Sequence, residues 1–480
     1  MSGKLLAGVA RAKINPPVGI GKIGKRLFAD PIEGIESDLF LTIVIFNYLK
    51  DSVALVTCDL CGIPVSVVDE LRQEISESLN IPVPHILVNE SHTHSCPAFP
   101  EYFTDSPEQN RLKEEYKGIF FKKAVETSIE SKRSLQPIRI GTGFGHCPIG
   151  VYRRERNSKG EDVLGEVPDA PTDPSVGVVR VDDLDGKTLI TIFSYGCHAV
   201  TMGPRSKLAS SDFPGEARRI IEMTNGGIAV FLQACGGNIN PIGGIGYEED
   251  CRDTKNRVGA MLAGEVIKIA ATIRTNLEYG ERTKLGEIPN ILFSPLVHKE
   301  DNKTSVIKAV EENLKLRFVK LPDINKAKLL SEKWGNNLND KLKQNAPQWE
   351  ITVAKHYVKW TKNLMKAIKM ENPTFDMPVQ VIRINDFVIA AISAEVFFET
   401  GLYIKLKSPI KHTQVLGYSN GLRCYLPREK DFPKNGWDYD SKYAVPDLVF
   451  QFSQLPAAFH PESEQVVINK TLEMIKQINV

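Results

Sequence analysis

A layered α/β domain with a mixed sheet and a helical insertion is the fold class this sequence predicts. Apolar runs of strand length alternate with segments whose apolar residues recur every three or four positions. The two kinds of segment interleave along the whole chain, which favours a layered α/β enzyme over an all-β binding module. With 480 residues, one very large domain or two closely packed ones can bury roughly three-quarters of the unfolded surface.

Residues 37–48 and 53–57 run apolar or alternate, as adjacent strands do. Pro64 then opens a helix in which Val65, Val68, Leu71, Ile75 and Leu79 make one buried stripe. Residues 86–88 read as a short buried strand. Residues 114–130 are predicted helical, with Tyr116, Ile119, Phe120, Ala124 and Ile129 on the core face. Residues 177–181 and 189–193 are strands joined by the turn Asp183-Leu184-Asp185-Gly186. A helix over 215–224 precedes a strand at 229–232, which ends in the turn-rich run Cys235-Gly236-Gly237-Asn238-Ile239-Asn240-Pro241. Two long helical regions follow at 255–277 and 326–369. The second has an Asn/Asp-rich interruption and forms the core of an insertion placed at 322–376. Residues 378–384 and Phe387–Ile392 form a hairpin about Asn385-Asp386, and 413–416 begin another strand. No repeat of fixed period and no low-complexity segment is evident.

Charge excludes some partners. Sixty Lys+Arg against 59 Asp+Glu provide no surface of one sign to attract nucleic acid. The Lys-rich stretch 326–369 also carries acidic and aromatic residues and reads as a solvated helical face. No apolar stretch approaches the roughly 20 residues needed to cross a bilayer, so no integral membrane segment is expected. Near the start, Arg11-Ala12-Lys13 interrupts the short apolar patch that a secretion leader would extend, and cytoplasmic residence is the expectation. The eight cysteines (Cys58, Cys61, Cys96, Cys147, Cys197, Cys235, Cys251 and Cys424) permit disulfides that a chain of this size does not need. Cys58-Asp59-Leu60-Cys61 is a lone CxxC and reads as buried, reduced thiols, because a structural zinc site needs two further ligands.

Chemistry concentrates at three strand exits. Only nine residues are histidine, yet two of them fall in Asn89-Glu90-Ser91-His92-Thr93-His94-Ser95, directly after an apolar run. On an extended strand they share one face, which suits a metal ligand beside a proton carrier. The second exit, Phe193-Ser194-Tyr195-Gly196-Cys197-His198, delivers another imidazole, for which a satisfied core or turn histidine is the plain alternative. The third delivers Glu395 after Ala390-Ala391-Ile392-Ser393-Ala394. A carboxylate placed behind an apolar strand wants a metal, a base or water. Two histidines, one glutamate and an exchangeable position would make a catalytic zinc shell.

Ser91-His92-Thr93-His94-Ser95-Cys96-Pro97 resembles the HTHSGP motif of the neutral/alkaline, non-lysosomal ceramidase family. Ser210-Ser211-Asp212-Phe213-Pro214-Gly215, the 231–241 strand and glycine loop, and Ala394-Glu395 are similar to that family's later motifs, in the same order. The resemblance covers about residues 8–447. It implies that 1–480 is a single catalytic domain like the family's N-terminal domain, with 322–376 inserted. It further implies a zinc amidase in which His92, His198, Glu395 and Tyr425 hold Zn2+, His94 handles the proton and Arg153 faces substrate.

The sequence departs from the family at informative places. Asn240 stands where the ceramidases present a serine, Asn238 replaces an aspartate, Cys96 a glycine, and Trp437 a second site tyrosine, with Tyr439 nearby. No counterpart of their C-terminal immunoglobulin-like domain is expected. Zinc still lowers the pKa of bound water toward about 7, which supplies a nucleophile without serine. The resulting expectation is a zinc amidase acting through activated water on a small or polar N-acyl compound, with Asn238 or Asn240 donating to the developing charge. True ceramide hydrolysis, ester or C–O cleavage, and a non-catalytic metal-binding or structural role are the alternatives. Cys235 is the rival nucleophile.

Overall fold

The computed structural model describes residues 3–23, 30–99, 106–160, 162–248, 250–286, 288–299, 304–432 and 450–479. It is mixed α/β, and one four-stranded pattern occurs three times. Leu6–Lys13, Phe40–Tyr48 and Asp51–Cys58 run antiparallel, and Ile86–Glu90 then joins Asp51–Cys58 in parallel after the helix Val65–Leu79. The second sheet repeats this with Arg139–His146, Ser175–Asp182 and Thr188–Tyr195, the helix Asp212–Asn225, and the parallel strand Ile228–Gln233. The third uses Ile307–Arg317, Thr374–Ile384 and Phe387–Ile392, the helix Phe398–Lys407, and the parallel strand His412–Leu416. A longer helix follows each unit: Pro107–Arg133, Arg252–Thr272 and Ser463–Gln477.

The three sheets turn one face toward a shared core. Val44, Phe46, Val53 and Leu55 of the first meet Val179, Val181, Ile190 and Ile192 of the second and Ile382, Ile384, Phe387 and Ile389 of the third. The opposite faces pack under each unit's own helices: Ile43 and Ile45 under the first pair, Phe193 and Phe231 under the second, Val381 and Val388 under the third. Covering both faces explains why these strands read as continuous apolar runs rather than as polar–apolar alternation.

The helical insertion is two antiparallel helices, Ile324–Lys343 and Gln348–Ile368, broken at Pro347. Asp323 caps the first by accepting from the backbone N–H groups of Asn325 and Lys326. Trp334 stacks on Tyr357 with ring centroids 4.0 Å apart, and the fully buried Trp360 donates its indole N–H to the Leu455 carbonyl.

Several expectations are corrected. The helix expected over 114–130 extends over Pro107–Arg133, started by the Ser106 cap. Ile119 and Ile129 are exposed, because the buried stripe follows Leu112, Tyr116, Phe120 and Ala124 and leaves both isoleucines on its flanks. The helix expected to reach 277 stops at Thr272, and Leu277–Tyr279 is a strand. Trp437 and Tyr439 lie outside the described residues.

Truncating Trp360 to alanine opens a large hole in the hairpin's own core. It is expected to lower stability by about 3–5 kcal/mol. Urea unfolding checks the magnitude, and amide exchange concentrated in Ile324–Lys343 and Gln348–Ile368 checks the location.

Candidate metal centre

Strand ends from all three units meet at one place. His92 follows the Ile86–Glu90 strand, His198 follows Thr188–Tyr195, and Glu395 follows Phe387–Ile392. All three side chains are buried, and their donor atoms lie within 4.8 Å of one another. His198 Nε2 is 3.1 Å from Glu395 Oε2, and His92 Nε2 is 3.5 Å from the same oxygen.

The hydrogen-bond partners show why this cluster calls for a positive charge. His198 Nδ1 faces two carbonyl oxygens, Gly236 at 2.8 Å and Ile239 at 3.2 Å. Carbonyls only accept, so Nδ1 carries a hydrogen, and in the neutral ring Nε2 presents its lone pair to Glu395. A neutral ring facing a carboxylate oxygen in a dry interior calls for a positive charge between them, which a proton or a metal ion supplies. Zinc ligands about 2.0–2.1 Å from the ion stand roughly 3.3 Å from one another in a tetrahedron, and the separations here match. The residues therefore fit a divalent ion.

Backbone stitching holds the cluster in place. Asp212, at the start of its helix, accepts from the Thr201 and Met202 N–H groups and so anchors the loop after His198. Thr93 donates to the Ser210 carbonyl, and Ser95 donates to the Met202 carbonyl, tying the His92–His94 loop to the same element. The Gln233 side chain donates to the Cys197 carbonyl, and its backbone N–H donates to Asn89 Oδ1. Gly236 and Gly237 are needed for close approach: a Cβ there would stand 2.6 Å from Cys197 N and 2.7 Å from the Glu395 carbonyl.

His92 and His94 do share a face, but not through strand pleating. The strand ends at Glu90, and His92 sits at a φ of +59°. The resulting turn brings the two Nε2 atoms within 3.2 Å. His94 is half-buried and is the more solvent-reachable of the two. Glu90 itself is fully buried, and burial pushes its carboxyl up to about 8.

A second group of expected residues gathers beside the first. Tyr425 pairs with Glu395 across a two-residue parallel ladder. Its hydroxyl accepts a 2.9 Å hydrogen bond from Arg153 Nη2, and Arg153 Nη1 lies 3.5 Å from the Asn240 carboxamide oxygen. Asn238 is different. Its amide accepts from Phe398 N and donates to Glu399, so it fastens a helix start.

Sequence reasoning missed two residues. Tyr418, at a φ of +50°, places its ring 4.3 Å from that of His92. Its hydroxyl is buried without a hydrogen-bond partner, and burial first, then the Glu395 carboxylate, pushes its proton affinity well above the usual phenol range. Cys61 Sγ lies 3.3 Å from His92 Nδ1. The CxxC spacing was its only signal, and that signal pointed to inert thiols. All eight cysteines are free and buried. Cys235 donates to the Val415 carbonyl, and burial pushes its thiol up to about 12, which disfavours the thiolate form.

No family model matches the chain. Neutral ceramidase A of Dictyostelium discoideum is 25% identical over 205 residues, covering 39% of this chain and 28% of that protein. The solved neutral ceramidase from Pseudomonas aeruginosa superposes with a TM-score of 0.65 at 15% identity, covering 99% of this chain and 75% of that one. A ceramidase complexed with C2 superposes with the same score and coverage. The chain is distantly homologous to the neutral ceramidases and shares their fold. Among the described residues, no helix is long and apolar enough to cross a membrane.

A divalent ion held by this cluster would lose a ligand when any one of the three residues is removed. His198→Ala and Glu395→Ala should each drop bound zinc from about one ion per chain to a small fraction after dialysis. Elemental analysis of folded protein, with circular dichroism as the fold control, checks this.

Proposed function

We propose that this chain is a metal-dependent hydrolase, specifically a zinc amidase cleaving a small or polar N-acyl compound. The reading rests above all on one observation: the donor atoms of His92, His198 and Glu395 lie within 4.8 Å of one another in a buried place. His92, His198 and Glu395 would hold the ion, with Tyr425 as a fourth ligand beside Glu395. A mixed imidazole and carboxylate set suits zinc. When bound, such an ion polarises a scissile carbonyl and brings the pKa of coordinated water toward about 7.

The chain's own residues supply the rest. His94 would accept a proton from the attacking water and return one to the leaving amine, being next to His92 and open to the outside. Arg153, oriented by Tyr425 and Asn240, would bind an acidic group of the substrate or the charge that develops on the carbonyl oxygen. Asn240 has no hydroxyl where the resembling ceramidases present serine, so an acyl-enzyme at that position is ruled out by its chemistry. Residues 1–480 would act as one catalytic domain carrying the 322–376 insertion. The eight free thiols are in keeping with cytoplasmic residence.

The likeness of fold favours one alternative, hydrolysis of ceramide itself, and the same assay separates the two. Zinc-loaded protein should release amine from short or polar N-acyl substrates, lose that activity to a chelator and regain it on adding zinc. Preference for long-chain ceramide would select the alternative, and equal activity of the metal-free protein would end both. Arg153→Ala should lower kcat/KM by about 10²–10³, the usual effect of removing one transition-state donor. An unchanged rate would take Arg153 out of the mechanism.

A further inference from the structure

The threefold pattern of the fold puts equivalent residues at the centre, and one of them has no part in the hydrolase reading. His198 is the third residue past the strand end at Tyr195, and Glu395 is the third past Ile392. The matching third residue of the first unit, past Cys58, is Cys61. Backbone pairing confirms the correspondence between the first and third units. His92 N donates to the Leu60 carbonyl just before Cys61, as Tyr418 N donates to the Ala394 carbonyl just before Glu395. Each unit thus aims its third exit residue inward, and the three are a thiol, an imidazole and a carboxylate.

The thiol reaches the same histidine. Cys61 Sγ is 3.3 Å from His92 Nδ1 and 3.9 Å from Nε2, so it lies over the nitrogen edge of the ring rather than in line with a single N–H. Cys61, His92 and His94 offer donor atoms within 4.8 Å of one another, the same closeness as His92, His198 and Glu395. The His92–His94 separation, 3.2 Å between Nε2 atoms, is a ligand-to-ligand distance.

We propose that Cys61, His92 and His94 form a second, sulfur-containing donor set that takes a thiophilic divalent ion in competition with the nitrogen and oxygen set. The two sets exclude each other because the single Nε2 lone pair of His92 serves one ion at a time. Binding forms one sulfur–metal bond and releases the thiol proton to solvent, with no change of oxidation state. Thiolate raises affinity for soft ions, whereas imidazole with carboxylate suits borderline zinc. A soft ion held at Cys61 therefore draws His92 away from His198 and Glu395 and blocks zinc uptake. This inference depends on the position of His92 and not on the hydrolase reading.

Cadmium is the probe. Metal-free protein titrated with Cd2+ alone should develop the ultraviolet sulfur-to-cadmium charge-transfer band, saturating at about one ion per chain. In Cys61→Ser, with unchanged circular dichroism, the band should fall to background. In His198→Ala it should persist, although zinc is no longer held. Preloading wild-type protein with zinc should suppress the band. His94→Ala, an independent variant should Cys61→Ser fail to fold, should weaken cadmium binding at least about tenfold. No band in wild-type protein, or a full band in Cys61→Ser, overturns the proposal. A band in wild-type protein that itself binds no zinc would sink the hydrolase reading and leave this one standing.

Discussion

Acceptor atoms that face one another in a dry interior repel, and a fold that holds them there must supply a positive charge. That constraint governs the meeting point of His92, His198 and Glu395. The carbonyls of Gly236 and Ile239 keep a hydrogen of His198 on Nδ1, and Nε2 faces Glu395. Much of the surrounding sequence makes sense as support for this arrangement. The paired glycines let two backbones approach, Asp212 fixes the loop behind His198, and Gln233 spans the ends of neighbouring strands. Without a cation these devices would concentrate desolvated acceptors for no return in stability.

The triple unit explains how distant segments deliver side chains to one point. Each sheet sends its central strand toward the same end of the shared core, and each then crosses over through a helix to a parallel neighbour. His92 and Tyr418 are second past the crossover strands of the first and third units, and both adopt positive φ. Cys235 holds the corresponding place in the second unit but turns to the Val415 carbonyl. The insertion Ile324–Lys343 and Gln348–Ile368 has its own aromatic core and lies within the third unit, between its first two strands. Insertions of unequal length in the three units hide any fixed period in the sequence.

The strands that were legible in the sequence are those buried on both faces, such as Phe387–Ile392 and Thr188–Tyr195, whose apolar runs have one reading. Arg139–His146 was missed because Gly141 and Gly143 occupy its core-side positions. Ile273 and Ile269 pack where their side chains would be, so the usual apolar signal is carried by the partner helix. The same logic applies to the centre. His92, His198 and Glu395 stood out because imidazoles and a carboxylate are conspicuous after apolar strands. Tyr418 and Cys61 did not, since a tyrosine in a turn and a lone CxxC look like ordinary packing. Their proximity to His92 comes from turn geometry, including backbone at positive φ, that no local pattern encodes.

The most direct test of the cation-filled centre is X-ray absorption at the zinc edge of the purified, zinc-loaded chain. The account predicts a first shell of nitrogen and oxygen at about 2.0–2.1 Å with the outer scattering of two imidazoles. A first shell dominated by sulfur at about 2.3 Å, or zinc scattered over the surface without imidazole signal, would contradict it.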